Sequence, residues 1–437
     1  MFVWQACVSI LLFCVLPLTN PLGCNQAPRA ETESDAHGAV PTDSSFGDLF
    51  ALETEIKPGI EILVEERSEL LEGRSVGLIT NHTGLASDGR TNFSLLSDIP
   101  GLRIVAIFTP EHGLKGEAIA EVGAQDDYEN IPVYSLYSEN KKPTARMLQG
   151  IETLIFDIQD VGARFYTYIW TMAYCMDAAA KNNIDFIVAD RPNPIGGRIE
   201  GNLLNPSYSS FLSLYPIPVC HGMTIGELAK LFNDKHMQTK CYLTVIPCSG
   251  WSRNQRYTED NLHWVAPSPN MKHLSTAIVY PGTCFFEGTN VSCGRGTEFP
   301  FEYIGAPWFN SDAVIKAMTP KTSWLKGVEF LPVEFTPAKP SDMKYDNIPC
   351  KGVYLRVTDP AVFSPVRTGL TLLYVVFEQH PGKFSFSNQA QFDLLAGNSL
   401  MRKAIVKKDL TSVWDLFKQD EDKFQVLRKE YLLPEYD

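Results

Sequence analysis

Several signatures of cofactor and metal chemistry are missing from this sequence of 437 residues. No glycine-rich dinucleotide motif follows the first predicted strand, and no lysine stands in P-loop spacing. No H-E-x-x-H or C-x-x-C pair occurs, which argues against a zinc ribbon or a thioredoxin-type site. The net charge of −13 leaves the chain without the basic face that nonspecific nucleic-acid binding requires. We therefore expect no cofactor, no metal ion and no nucleic-acid partner.

Positive charge is also missing from the amino-terminal end. No lysine or arginine precedes Arg29, although residues 3–18 form an apolar run of the length typical of a signal-peptide core. This run is too short to span a membrane, which takes about 20 residues. Cys24 follows in a Pro-Leu-Gly-Cys sequence that resembles a bacterial lipobox, with proline where leucine is usual. We predict a signal peptide over residues 1–24, a lipid on Cys24 and a flexible tether over residues 25–55; the alternative is a soluble periplasmic protein.

Short apolar runs alternate with segments of helical pattern in the first half of the chain, which indicates a parallel α/β sheet. The four runs are residues 75–79, 102–108, 154–158 and 186–189. Each run ends in a cluster of polar side chains, and ligands bind outside the carboxyl ends of parallel strands. We therefore expect the four clusters to converge on one cleft; the alternative is that they serve only as turns and caps.

A proline-rich break at residues 267–270 divides the chain. Before it, residues 56–268 carry the α/β pattern. After it, residues 269–437 mix a β run at 353–357 with helical segments, which predicts a smaller α+β domain that completes the cleft.

Glu111 and His112 follow the second apolar run directly. A carboxyl group at a strand end, beside apolar residues, is the residue type that general acid catalysis requires. We predict that Glu111 is a catalytic acid; the alternative is a glutamate that caps the next turn.

Guanidinium and amide groups follow the other runs. Asp160 and Arg164 lie after the third run, Arg191 and Asn193 alternate with prolines after the fourth, and Arg295 lies between two glycines. A guanidinium group binds a carboxylate through two parallel hydrogen bonds, so the arginines are candidate receptors for an anionic ligand. For Asp160 and Arg164 a structural ion pair is the alternative.

Three histidines, His82, His112 and His221, lie near these clusters without the paired spacing of a zinc site. We expect them to bind substrate or to stabilise loops. A metal-dependent hydrolase that uses His82, His112 and Asp160 is the alternative.

Seven cysteines follow residue 24, so at least one is unpaired within the chain. Cys241 and Cys248, or Cys284 and Cys293, are close enough in sequence to form disulfides in an oxidising compartment. Buried thiols are the alternative.

Seven longer motifs resemble those of the exo-β-N-acetylmuramidase family NamZ, over a range from about residue 60 to the C-terminus. They are residues 77–84, 109–113, 156–168, 190–197, 221–227, 267–271 and 280–290. The resemblance implies a Rossmann-like N-terminal domain, a smaller C-terminal domain, and an enzyme that releases N-acetylmuramic acid from the non-reducing end of peptidoglycan fragments such as muropeptides or disaccharides. The amino-terminal residues separately predict that this enzyme is exported, either periplasmic or membrane-anchored. A noncatalytic lipoprotein that binds muropeptides is the competing hypothesis.

The resemblance also implies that Glu111, the glutamate of the Pro-Glu-His-Gly motif, is the catalytic carboxylate. From their positions in the sequence, we predict that His112 and Asp160 belong to the catalytic group with it. The second group is Asp160, Glu287 or the substrate's own acetamido oxygen. The predicted substrate-binding residues are Asn81, His82, Arg164, Tyr166, Arg191, Asn193, His221, Glu287, Asn290 and Arg295.

Overall fold

A computed structural model describes residues 56–116, 126–137, 140–254 and 264–437. The predicted signal peptide, Cys24 and the tether lie outside the described residues. Within the described part of the chain, no helix is both long enough and apolar enough to cross a membrane.

The first half of the chain forms a seven-stranded sheet in the order β3-β4-β2-β1-β5-β6-β7. Its strands are β1 Ser75–Thr80, β2 Arg103–Thr109, β3 Asp126–Tyr128, β4 Ile131–Ser135, β5 Thr153–Asp157, β6 Asp185–Ala189 and β7 Leu243–Ile246. Every neighbouring pair is parallel except β3–β4, which is an antiparallel hairpin at the edge. The six parallel strands follow the order of a Rossmann fold, with the reversal between β1 and β5. The predicted parallel sheet is confirmed.

Helices cover both faces of this sheet. They are α1 Gly59–Glu66, α2 Asn92–Ser97, α3 Tyr168–Asn182 and α4 Ile225–Lys235. Helix α4 begins with a capping box, in which Thr224 and Glu227 each accept a hydrogen bond from the other's backbone amide. All residues of β1 and of β5 are buried, as expected for a central parallel strand with helices on both sides.

The second half of the chain is α+β, as predicted. Its strands are β8 Tyr303–Ala306, β9 Val328–Phe335 and β10 Cys350–Val357, which form an antiparallel sheet in the order β8-β10-β9. Its helices are α5 Leu274–Thr283, α6 Ser311–Met318, α7 Pro365–Gln379, α8 Gln389–Ala396, α9 Leu400–Lys407 and α10 Thr411–Arg428.

Helices α5 and α7 pack at very short distance through two glycines. A Cβ atom on Gly369 would lie 2.2 Å from a backbone atom of Gly282, so neither position accepts a larger residue without a shift of backbone. One hydrophobic cluster includes side chains from both sheets, for example Phe156 of β5 and Val353 of β10. The domain boundary at residues 268 and 269 stays a prediction.

All seven cysteines after residue 24 are buried, free thiols. Neither of the two disulfides that spacing allowed, Cys241–Cys248 and Cys284–Cys293, is formed. Burial raises the pKa of each of these four thiols, which disfavours the reactive thiolate.

Candidate active site

A cleft of about 760 Å³ lies at the carboxyl ends of β2 and β5, where segments of the second half of the chain close it. The polar residues that line it include Glu111, His112, Tyr137, Tyr166, Thr167, Tyr168, Ser268, Asn270, Glu287, Arg295, Ser341, Asp342, Lys344, Asn388 and Gln391. Five of the predicted site residues therefore meet in one cleft, and these are Glu111, His112, Tyr166, Glu287 and Arg295.

Glu111 is half-buried, two residues beyond the end of β2. The hydroxyl group of Thr167, the residue just before α3, donates a hydrogen bond of 3.0 Å to Glu111 Oε2. His112 has a φ of +74°, a left-handed conformation that is uncommon for residues other than glycine. Strained backbone of this kind occurs often at functional sites.

Three tyrosines, Tyr137, Tyr166 and Tyr168, line the cleft that contains Glu111. Burial, together with the neighbouring Glu111 carboxyl group, raises the pKa of Tyr137 to about 12. The Tyr168 hydroxyl donates to the carbonyl oxygen of Pro267 over 2.6 Å, and its pKa is raised mainly by burial. The rings of Tyr166 and Tyr168 pack edge to face, with 4.8 Å between centroids. These phenols stay protonated at neutral pH. The hydroxyl groups of Tyr137 and Tyr166 are therefore donors in the cleft wall, whereas that of Tyr168 is used by Pro267.

Glu287 and Arg295 form an ion pair in the same cleft. Arg295 Nε donates to Glu287 Oε1 over 2.8 Å, Nη2 donates to the same oxygen, and Nη1 donates to Ser341 Oγ over 3.0 Å. The guanidinium carbon lies 4.9 Å from the centroid of the Phe301 ring, in cation–π contact. The second half of the chain therefore supplies a carboxylate and a cation to the cleft that contains Glu111.

Two of the three arginines predicted as carboxylate receptors do not line the cleft. The fully buried Arg164 donates to the backbone carbonyls of Asn202, Ile217 and Leu395, and burial lowers its pKa to about 9. Its partners are carbonyls rather than Asp160, so the structural ion pair that was the alternative is not formed either. Its guanidinium group instead joins the two halves of the chain, because it donates hydrogen bonds to carbonyl groups of both.

Arg191 belongs to a buried hydrogen-bond network at the carboxyl ends of β1 and β5. Its Nε and Nη2 donate to the two oxygens of Asp157 over 2.6 and 3.0 Å, and Asn92 donates to Asp157 and to Thr80. Asp157 is 0 % exposed. This strand reversal is where a Rossmann fold binds its dinucleotide, and here protein side chains occupy the crevice.

Asp160 and His221 are buried beside each other, and neither lines the cleft. His221 Nε2 lies 4.0 Å from Asp160 Oδ2, which also accepts a hydrogen bond from the Gly162 amide. Burial raises the pKa of Asp160 to about 7 and lowers the pKa of His221 to about 3. At pH 5 both are therefore neutral, as groups without access to water tend to be.

The remaining predicted residues stabilise loops around the cleft. Asn81 accepts two hydrogen bonds from Thr83, and the side-chain amide of Asn193 donates to the Met223 carbonyl. His82 Nε2 lies 2.7 Å from the Ala266 carbonyl oxygen, so it holds the segment that carries Ser268 and Asn270 into the cleft. Asn290 donates to the Lys383 carbonyl on the far side of the Glu287 turn.

Among the described residues, no three histidine, cysteine, aspartate or glutamate side chains come together in a way that holds a metal ion. His82, His112 and Asp160 therefore do not form the donor cluster that the metal-dependent alternative requires.

Sequence reasoning missed several residues that line the cleft. Thr167 and Tyr168 lie within the motif at residues 156–168, three and four residues after Arg164. Their place in the cleft could therefore have been predicted from that motif. Tyr137 and Lys344 lie outside every motif, and no sequence signal pointed to them.

Comparison with known proteins identifies the family. The chain matches the family models described as exo-beta-N-acetylmuramidase NamZ, N-terminal, over residues 76–275, and NamZ, C-terminal, over residues 278–433. The peptidoglycan beta-N-acetylmuramidase NamZ of Bacillus subtilis (strain 168) is 44% identical over 390 residues, which cover 88% of this chain and 92% of that protein.

Two crystal structures of DUF1343 family proteins from Bacteroides fragilis NCTC 9343 have the same fold. One has a TM-score of 0.80 at 35% identity, the other a TM-score of 0.70 at 31% identity, and each comparison covers 87% of this chain and 99% of the other. The family models match both halves of the chain, and the sequence identity and the shared fold agree with them. The chain belongs to the exo-β-N-acetylmuramidase NamZ family.

Proposed function

We propose that this protein is an exo-acting glycoside hydrolase that releases N-acetylmuramic acid from the non-reducing end of peptidoglycan fragments, with Glu111 as the general acid. The observation that carries the role of Glu111 is its place in the cleft. It is the carboxyl group at the end of β2, it accepts a hydrogen bond from Thr167, and it shares the cleft with the Glu287–Arg295 pair.

Glycoside cleavage needs a proton donor for the leaving oxygen and stabilisation of a positively charged, oxocarbenium-like transition state. Glu111 is the donor in this scheme. Of the two carboxylates considered for the second role, Glu287 lines the cleft and Asp160 does not. Glu287 therefore stabilises the developing positive charge, either directly or through the acetamido group of the substrate.

Muramic acid differs from glucosamine by a lactyl ether that ends in a carboxylate. Of the three arginines considered as its receptor, Arg295 alone lines the cleft, whereas Arg164 and Arg191 are occupied by protein partners. Arg295 uses Nε and Nη2 toward Glu287 and Nη1 toward Ser341, and each of the two Nη atoms carries a second hydrogen. Arg295 therefore binds the lactyl carboxylate and gives the enzyme its preference for muramic acid.

The amino-terminal residues support a location outside the cytoplasm. The apolar run at residues 3–18 and Cys24 after it are consistent with export and with a lipid anchor, which would place the enzyme at the cell wall. Labelling of the intact protein with a fatty-acid analogue, lost in Cys24→Ala, tests the anchor. Equal labelling of both proteins would count against it.

The test of the function is hydrolysis of a chromogenic β-N-acetylmuramide by protein that lacks residues 1–24, with the matching N-acetylglucosaminide as control, each with and without a chelator. We expect release from the muramide only, with or without chelator. Tight binding of a muropeptide with no sugar released would favour the noncatalytic lipoprotein. Loss of release after chelation would favour a metal-dependent hydrolase.

A further inference from the structure

The side chain of Lys344 is attached to the backbone of the turn that carries Glu287. Its Nζ donates hydrogen bonds to the carbonyl oxygens of Phe286, Glu287 and Val291, over 3.0, 3.2 and 3.2 Å. An ammonium group has three N–H donors, so all three are used by these carbonyls. Lys344 lines the cleft, but it has no donor left for a substrate.

The position of this ammonium group suits the turn it contacts. Residues Cys284–Gly288 form a short 3₁₀ helix, and the carbonyls of Phe286 and Glu287 belong to its final turn. Carbonyl groups at a helix end lack partners within the helix, and a cation there is favourable. Lys344 therefore supplies a donor to the Glu287 carbonyl at the end of this helix, and a further donor to the Phe286 carbonyl, which already accepts from the amide and the hydroxyl group of Thr289.

The loop that contains Lys344 also holds Arg295. This loop, residues 336–349, joins β9 to β10. The hydroxyl group of Ser341 accepts from Arg295 Nη1, and the amide of Ala338 donates to the carbonyl of Gly296 over 2.9 Å. The Tyr345 hydroxyl donates to the Asn290 carbonyl over 2.6 Å. The loop thus contacts the segment 286–296 near both ends and in the middle.

The backbone of this loop is held in a costly conformation. Lys339, Met343, Tyr345 and Asn347 have φ values of +49°, +58°, +56° and +56°. For a residue other than glycine or asparagine this conformation costs about 1 kcal/mol or more, and it persists only where surrounding contacts impose it. The contacts to segment 286–296 are of that kind, which links the shape of the loop to the position of Glu287 and Arg295.

We infer that Lys344 is a positioning residue for the reaction. It holds Glu287 and Arg295 in the cleft by fixing the backbone that carries them, without touching the sugar. The inference rests on the proposed function, because the two side chains matter for catalysis only if a muramic acid residue binds between them and Glu111.

The test compares Lys344→Met with Lys339→Met. Lys339 is an exposed lysine of the same loop, so its replacement controls for the loss of a charge and for the change of side chain. Two readouts are taken on each protein. One is amide hydrogen exchange of residues 284–296, and the other is kcat and KM on the chromogenic muramide.

For Lys344→Met we expect faster exchange in residues 284–296 and a fall in kcat of about 10- to 100-fold, the range that a shift of about 1 Å in a reacting group produces. KM should change less than kcat, since Lys344 makes no substrate contact. Lys339→Met should match the wild type in both readouts. A role in general stability alone would leave kcat unchanged once the folded fraction is accounted for.

Unchanged exchange in Lys344→Met would overturn the inference, and so would faster exchange with wild-type kcat. If the wild type itself releases no sugar, the proposed function fails, while the exchange data still decide whether Lys344 fixes the turn. If Lys344→Met does not fold, Lys344→Gln takes its place, since glutamine is uncharged and keeps at most two of the three N–H donors. It should show the same changes to a smaller degree, and wild-type exchange or wild-type kcat in that variant would overturn the inference.

Discussion

Thr167→Val is the most direct test of how Glu111 is oriented. Valine keeps the shape of threonine and removes the hydroxyl group that donates to Glu111 Oε2 over 3.0 Å. A hydrogen bond contributes about 1 kcal/mol net, and one to a charged group about 2 kcal/mol. Because 1.36 kcal/mol corresponds to a tenfold change in rate, we expect kcat/KM on the muramide to fall about 5- to 30-fold.

The matched control for this substitution is Thr371→Val in α7. Thr371 is 3% exposed, and its hydroxyl group has no hydrogen-bond partner in the described part of the structure. Its replacement should leave kcat/KM unchanged and leave the melting temperature equal or higher, since an unsatisfied buried hydroxyl is lost. Wild-type kcat/KM in a folded Thr167→Val protein would refute the idea that this hydrogen bond orients the acid.

Three further predictions concern the same cleft and the buried carboxyl behind it. Glu111→Gln should keep the melting temperature and lose at least ~10² in kcat, whereas the exposed Glu72→Gln should behave as the wild type; activity retained in Glu111→Gln would remove this residue from the mechanism. Arg295→Gln should lower kcat/KM on the muramide more than on the glucosaminide, because it removes the receptor of the lactyl carboxylate in addition to the partner of Glu287. An equal loss on both substrates would argue against contact with the lactyl group. Burial raises the pKa of Asp160 to about 7 in the folded protein, above the value of about 3.9 in an unfolded chain, so this group contributes stability below pH 4 that is lost as the pH rises through 7. In urea unfolding, the free energy of unfolding of Asp160→Asn should therefore decline less over that pH range than that of the wild type. Identical curves for both proteins would contradict the raised pKa.

Much of the fold follows from local pattern. The buried strands β1, β2, β5 and β6 were predicted to within one or two residues, because a central parallel strand is apolar on both faces. Helix α5 was not predicted, and it contains Pro281 and Gly282, two residue types that usually interrupt a helix. The proline lies in the last turn of the helix, and the glycine is required by the close contact with α7, so both residues are explained by tertiary packing.

The site was predicted in part, and the arginines show where such prediction stops. The sequence contexts of Arg164, Arg191 and Arg295 are equally plausible for a carboxylate receptor. The guanidinium group of each one donates several hydrogen bonds in the structure. Their partners are backbone carbonyls, a buried aspartate and a cleft glutamate, respectively. These partners lie 8 to 231 residues away along the chain. No local pattern distinguishes them.

The sequence by itself determined the alternation of strands and helices, the polar clusters at the strand ends and the family. Those features depend on the period of apolar residues and on motifs of consecutive residues, and both are local properties of the sequence. The tertiary structure alone decided which polar groups face the cleft and which are buried as internal partners. It also brought Lys344 to the Glu287 turn, because side-chain contacts depend on how distant segments pack and on which donors and acceptors that packing leaves unpaired.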